Sequence, residues 1–210
     1  MRHQLLQHVA GAALLVMLGS FAAPAAAQGI KGEAVGAYVR LATGSSTNAA
    51  RAVLTDGSPM AENSVDRLDV PGTITTSLLT AVTAGESTAT RSGAQSVATA
   101  ADVSILDGLI QADRVIAVAS SIGGPVVGSD ANGSGFENLV VNGMPVVSDG
   151  LVPANTRIAL PGVGHVVLNE RSSTGSGGIT VNMIHVVLQD ALTGRTVGEI
   201  VVGSASSLAR

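Results

Sequence analysis

Between residues 34 and 202 the chain is written in short apolar runs, rich in Val, Ile, Thr and Ala, each cut off by Gly, Pro, Asn or Asp. β-Branched residues are stiff at χ1 and fit a pleated surface, and the interrupting residues are those that turns require. Lys, Gln and Glu, which favour helices, are few. Many short strands at turn-punctuated spacing predict an all-β domain, an antiparallel β-sandwich-like fold. A β-solenoid is the alternative, because Gly108–Val115 (GLIQADRV) would suit one turn of a parallel coil.

Residues 34–42 (AVGAYVRLA) alternate, with Val35, Ala37, Val39 and Leu41 expected on one face. Residues 52–54 read as a short partner, residues 60–70 as polar and irregular, and residues 74–90 as strand on their Thr content. The strongest β region is 95–121, broken by the tight-turn pair Asp107-Gly108. A Gly-rich loop is expected over 122–135. Asn142-Gly143, between 139–141 and 144–147, is the clearest two-residue hairpin signal, and Asp149-Gly150 marks a further turn. Residues 158–160 and 165–168 flank Pro161-Gly162-Val163-Gly164, and 172–178 read as a loop tip. The nearly all-apolar stretch 179–188 should be a central strand paired with 196–202.

The N-terminus carries a different signal. Arg2, an apolar run over 9–21 and Pro24-Ala25-Ala26-Ala27 follow the order of a secretory signal, with cleavage expected between Ala27 and Gln28. The apolar run is shorter than the roughly 18 to 20 residues that span a bilayer. The expectation is a signal peptide over 1–27 and one exported β-rich domain over 28–210, secreted or periplasmic and without a membrane anchor after cleavage. The chain has no Cys, so packing and backbone pairing alone must hold it in an oxidising compartment.

Composition excludes several functions. The net charge is −4, with one Lys and no basic cluster, which argues against nucleic-acid binding. Aromatic residues are 1% of the chain, too few to build stacking platforms for sugars or bases.

Candidates for chemistry are sparse. His165 and His185 follow the signal, both in expected strands. Either could serve a secreted hydrolase with a Ser and an acid gathered in space, although GxSxG and HExxH are absent. Asp130, Asn132 and Ser134 place oxygens at alternate positions before Gly135, as calcium loops do, with Glu137 as an added carboxylate. Val141 stands where such a loop carries its closing Glu. These four are the candidate ligands of a calcium-stabilised binding module; no other cofactor is expected.

The segments LPGVGHVVLNE at 160–170, GGITVNMIHVVL at 177–188 and GEIVVGSA at 198–205 resemble the choice-of-anchor P family. Residues 101–119, 135–145 and 153–171 extend the similarity, which is strongest over 101–206. The resemblance implies a secreted bacterial domain, commonly followed by a surface anchor, and transfers no activity to any residue. Residues 206–210 show no LPxTG-like signal or apolar tail, so a free exported protein is expected. The leading expectation is a non-enzymatic envelope, surface or matrix domain, with self-association through exposed strand edges as a sub-hypothesis.

Overall fold

The structure, a computed structural model, describes residues 29–42, 44–55, 58–175 and 177–210. The expected export signal lies outside the described residues. Fifteen strands account for the fold: β1 (Ile30–Leu41), β2 (Ser46–Val53), β3 (Met60–Val65), β4 (Leu68–Val70), β5 (Ile74–Thr76), β6 (Leu78–Ser87), β7 (Ser92–Ile105), β8 (Ile110–Gly123), β9 (Gly128–Asp130), β10 (Gly135–Val141), β11 (Met144–Gly150), β12 (Thr156–Leu160), β13 (Gly164–Ser173), β14 (Gly178–Gln189) and β15 (Thr196–Ala209).

They form two antiparallel sheets packed face to face, so the sandwich is realised and the parallel coil is not. Sheet A runs β12-β13-β14-β15-β1-β2. Sheet B runs β11-β10-β8-β7, then continues through β6 to β3 at one end of β7 and through β5 to β4 at the other. The Gly108–Val115 segment leaves a hairpin turn and enters β8, pairing antiparallel with β7.

The Asp107-Gly108 and Asn142-Gly143 turns form as expected, with positive φ at all four residues. Residues 60–65 and 68–70 are strand, not irregular. Their polarity reflects an edge position, where only Leu68 is buried. Asp149 and Gly150 close β11 in pairing with Glu137 and Phe136 instead of turning. The expected loop over 122–135 is partly strand, since β8 runs to Gly123 and β9 pairs with it.

A crease crosses each sheet. In sheet A it passes through Asn169 on β13, Gly203 on β15 and Ala50 on β2, all at positive φ; in sheet B it passes through Asn138 on β10 and Asp102 on β7. These are every second strand of their sheets. At this row the buried positions change parity: Ala98 and Ala100 give way to Val103 and Ile105 on β7, and Ile110 and Ala112 to Val115 and Ala117 on β8. The pairing is unaffected, because both strands insert a residue at the same place: Ala101 faces Arg114 on one side and Val103 faces Ala112 on the other. A lone bulge opposes two residues to one. Here the bulges are aligned on β7 and β8, and likewise on β13 and β14, so these pairs turn their side chains over without losing register, whereas β10 and β11 shift by one residue between Leu139 and Val140.

The crease separates two kinds of interior. Towards residue 196, the start of β15, the sheets are held apart by Ile74, Ile105, Ile110, Leu139, Leu168, Ile184 and Ile200, each fully buried. Towards Arg210, past Leu79, Val115, Phe136, Val181 and Met183 near the crease, the buried faces narrow to Ala, Ser, Thr and Gly, and the sheets approach closely. Ser96 Oγ lies 2.7 Å from the Ser206 carbonyl and 2.8 Å from Thr83 Oγ1, Ser121 Oγ lies 2.7 Å from Ser207 Oγ, and Ser92 Oγ donates to the Arg210 carbonyl at 2.9 Å. Gly32 belongs to this end by necessity, since a Cβ there would fall 2.0 Å from Thr83 Oγ1. The sandwich is a wedge, clamped at its thin end by hydroxyls.

Candidate functional site

His185 gathers the richest polar chemistry, on the outer face of sheet A. The face exists because β13, β14, β15 and β1 lie side by side, with Val167 opposite His185 and His185 opposite Val201. The carboxylate Oε2 of Glu170 accepts from Asn182 Nδ2 at 2.7 Å and lies 3.0 Å from His185 Nδ1. Ser204 Oγ donates to Asn182 Oδ1 at 2.8 Å. Beyond the imidazole, Glu199 places Oε2 at 3.7 Å from His185 Nε2 and binds Arg40 through Oε1 at 3.0 Å. A chain of six polar side chains thus crosses four strands.

An acid on Nδ1 is the orienting half of a nucleophile–base–acid array. The other half does not form here. His185 Nε2, which would face a nucleophile, is buried without a hydrogen-bond partner and points at the Glu199 carboxylate. Ser204 is bonded to Asn182, not to the imidazole. His165, on β13, has its Nδ1 buried and unpartnered. Burial, then the Arg157 guanidinium, hold its imidazole below the ordinary pKa; a hydrogen bond with Gln189 works against them, and His185 adds to the lowering.

The candidate calcium ligands are placed differently. Asp130 Oδ1 accepts the Asn132 N–H at 2.9 Å, an Asx turn. Ser134 is buried: its hydroxyl accepts from Val118 N at 2.9 Å and donates to Val118 O at 3.2 Å, standing in for a strand partner between β9 and β10. Glu137 pairs with Arg114 at 2.6 Å. Among the described residues no three His, Asp or Glu side chains gather as metal ligands, and no helix is long and apolar enough to cross a membrane.

Sequence reasoning missed a concavity, a trough on sheet B at the thin end. Two adjoining hollows of about 510 and 500 Å³ share Glu86, Gly93 and Ile122. The floor is the backbone of β6 and β7 at glycines, and the walls carry Pro59, Ile122, Pro125 and Val126. The only sequence signal was the run Ile122-Gly123-Gly124-Pro125-Val126-Val127, apolar yet loop-like. A smaller hollow of about 360 Å³ opens at the crease, where Ser77 Oγ donates to Asp102 Oδ2 at 2.5 Å and Asp66, Arg67 and Thr76 complete the lining.

Neither the family models, nor the curated proteins, nor the solved structures contain a match to this chain.

Proposed function

We propose that this chain is an exported, non-enzymatic β-sandwich that serves as an envelope, surface or matrix component and associates with its own kind. The observation that best supports this reading is the hydroxyl clamp between the sheets. It ties β7 and β8 to the end of β15 without a disulfide, which suits a passive, rigid module built to persist outside the cytoplasm. The kinship with choice-of-anchor P domains is part of the proposal; its three most specific segments fall on β13, β14 and β15, consecutive strands of sheet A.

The test is fractionation of cells producing the full chain or a form lacking residues 1–27. The full chain should appear outside the cytoplasm with Gln28 at its N-terminus, and the shortened form should stay inside. An uncut chain retained in the cytoplasm would sink the reading.

The hydrolase alternative has one specific observation in its favour, the Glu170–His185 contact. Against it stands the Glu199 carboxylate where a nucleophile would be needed. Hydrolysis of an ester panel that disappears in His185→Ala would establish it. The calcium module predicts a rise in melting temperature with calcium over chelator, since a ligand of the native state raises apparent stability. Its candidate ligands remain Asp130, Asn132, Ser134 and Glu137.

A further inference from the structure

The two poles of the wedge carry matching features. At the start of β15, the turn between β14 and β15 presents Leu192 at 96% exposure. A single exposed leucine is ordinary on a protein surface, and what sets this one apart is the ordered turn that presents it. The turn that displays it is rigid. Asp190 Oδ1 accepts from Leu192 N at 3.2 Å, Thr193 N at 2.7 Å and Thr193 Oγ1 at 2.7 Å, while Gly194 N donates to Asp190 O at 2.8 Å and Asp190 N to Arg195 O at 2.9 Å. The leucine is thus a fixed knob flanked by one acid, Asp190, and one base, Arg195.

At the other pole lies the apolar trough. Ile122, Val126 and Val127 expose 51%, 69% and 55% of their surface. The loop that holds them packs closely against its neighbours. A Cβ on Gly124, whose φ is +123°, would meet Thr90 O at 2.5 Å, and one on Gly177 would meet Val127 Cγ1 at 2.8 Å. The trough is rimmed by one acid, Glu86, and one base, Arg91. Its volume of about 510 Å³ exceeds that of a leucine side chain.

The geometry points to a head-to-tail contact in which Leu192 of one copy enters the trough between Gly93, Ile122 and Val126 of the next, with Arg195 set against Glu86 and Asp190 against Arg91. The knob cannot reach the trough of its own chain. β15 runs from one pole to the other, and its 14 residues span roughly 40 Å at about 3.3 Å each. The two surfaces differ, so the contact is heterologous, and a heterologous contact that does not close into a ring propagates as a filament. This inference rests on the self-association proposed above and gives it an interface and a direction.

The test uses the protein purified from the compartment to which it is exported, by light scattering across a concentration series. The wild type should form species that grow with concentration. Leu192→Asp and Val126→Asp should each require at least tenfold more protein for half assembly, while an equimolar mixture of the two should give discrete dimers, since each retains the half that the other lacks. Circular dichroism checks that both variants fold. Should Val126→Asp unfold, Glu86→Arg takes its place: alone it should weaken assembly, and mixed with Arg195→Glu copies it should recover it. A wild type that stays monomeric into the hundreds of micromolar overturns the contact, as does one whose assembly ignores Leu192→Asp. In the second case self-association survives and only this interface fails. Export is read separately, by fractionation.

Discussion

Ser96 and Ser206, on opposite sheets and 110 residues apart, are joined by a hydrogen bond of 2.7 Å from the Ser96 hydroxyl to the Ser206 carbonyl. The Ser96 side chain is fully buried and also contacts Thr83. Replacing it by Ala leaves the Ser206 carbonyl and the Thr83 hydroxyl each short of a partner where water does not reach. Ser96→Ala should therefore cost about 1 to 3 kcal/mol. Ser96→Val should cost more, because the added methyls meet a thin interior whose opposing face is Ala and Gly. Urea denaturation of the variants checks both, and an unchanged midpoint for Ser96→Ala would remove the clamp from the stability argument.

The crease makes a paired prediction. Gly203 sits at φ +67°, and a Cβ there would lie 3.0 Å from Val115 Cγ1. Gly203→Ala should cost about 1 to 3 kcal/mol through left-handed strain and overpacking together. Ala50 occupies the same row at φ +51° and is buried. Ala50→Gly relieves roughly 1 kcal/mol of strain but gives up a buried methyl worth about 0.8 kcal/mol, so it should fall near neutrality. Two thermal melts decide it. Equal losses in both variants would mean that φ is not what governs the row.

That row also explains what the sequence concealed. The Asn142-Gly143 hairpin and the Asp107-Gly108 turn were legible because two adjacent residues suffice to make them. The interior of β1 was not. Strict alternation puts Val35, Ala37, Val39 and Leu41 on one face, but Ala34 is fully buried and Val35 nearly so, because the side chains turn over at Gly36. Period-2 reasoning assumes an unbroken pleat, and here β1, β7, β8, β13, β14 and β15 each break it once, while β6 keeps it. The order of strands in sheet A, which sets β1 between β15 and β2, depends on pairings up to 179 residues apart. The meeting of Glu170 with His185 was hidden for a similar reason. It needs the β13–β14 register, which holds across the crease only because both strands carry an extra residue there. Both histidines lie in strands, as the apolar runs around them imply. What could not be read is that one would have carboxylates on two sides.

His165 gives a pH dependence with a definite sign. Its folded pKa is lowered, by burial first and then by Arg157. Below an unfolded value of about 6.5 the unfolded chain therefore binds the proton more readily than the folded one. Stability rises with pH wherever the unfolded state holds more protons, so this group's contribution is present above about pH 6.5. It is lost as the pH falls from there to the lowered folded value, below which it changes no further. Urea midpoints between pH 7.5 and pH 5 should decline in the wild type. The decline should be shallower in His165→Gln, which removes the titrating group and keeps a side chain that hydrogen-bonds. A steeper decline in that variant would reverse the assignment.

Glu170 offers the sharpest probe of the His185 array. One of its oxygens receives both Asn182 Nδ2 and His185 Nδ1, at 2.7 and 3.0 Å. The carboxylate is about one-third exposed and the imidazole one-fifth, so water can replace part of what is removed. Glu170→Ala should cost about 1 kcal/mol, and Glu170→Gln less, since an amide oxygen still accepts but without the charge. Stability alone would not reveal how the imidazole responds. With Glu170 present, a neutral His185 is best served by a proton on Nδ1, donated to that carboxylate. With Glu170 truncated, the nearest acceptor is Glu199 Oε2 beside Nε2, and the proton should move to that nitrogen. Imidazole ¹⁵N shifts at pH 8 should show Nδ1–H in the wild type and a shift towards Nε2–H in Glu170→Ala. If the wild type already carries Nε2–H, Glu199 and not Glu170 orients the ring, and the order of the polar chain across sheet A must be read in the opposite direction.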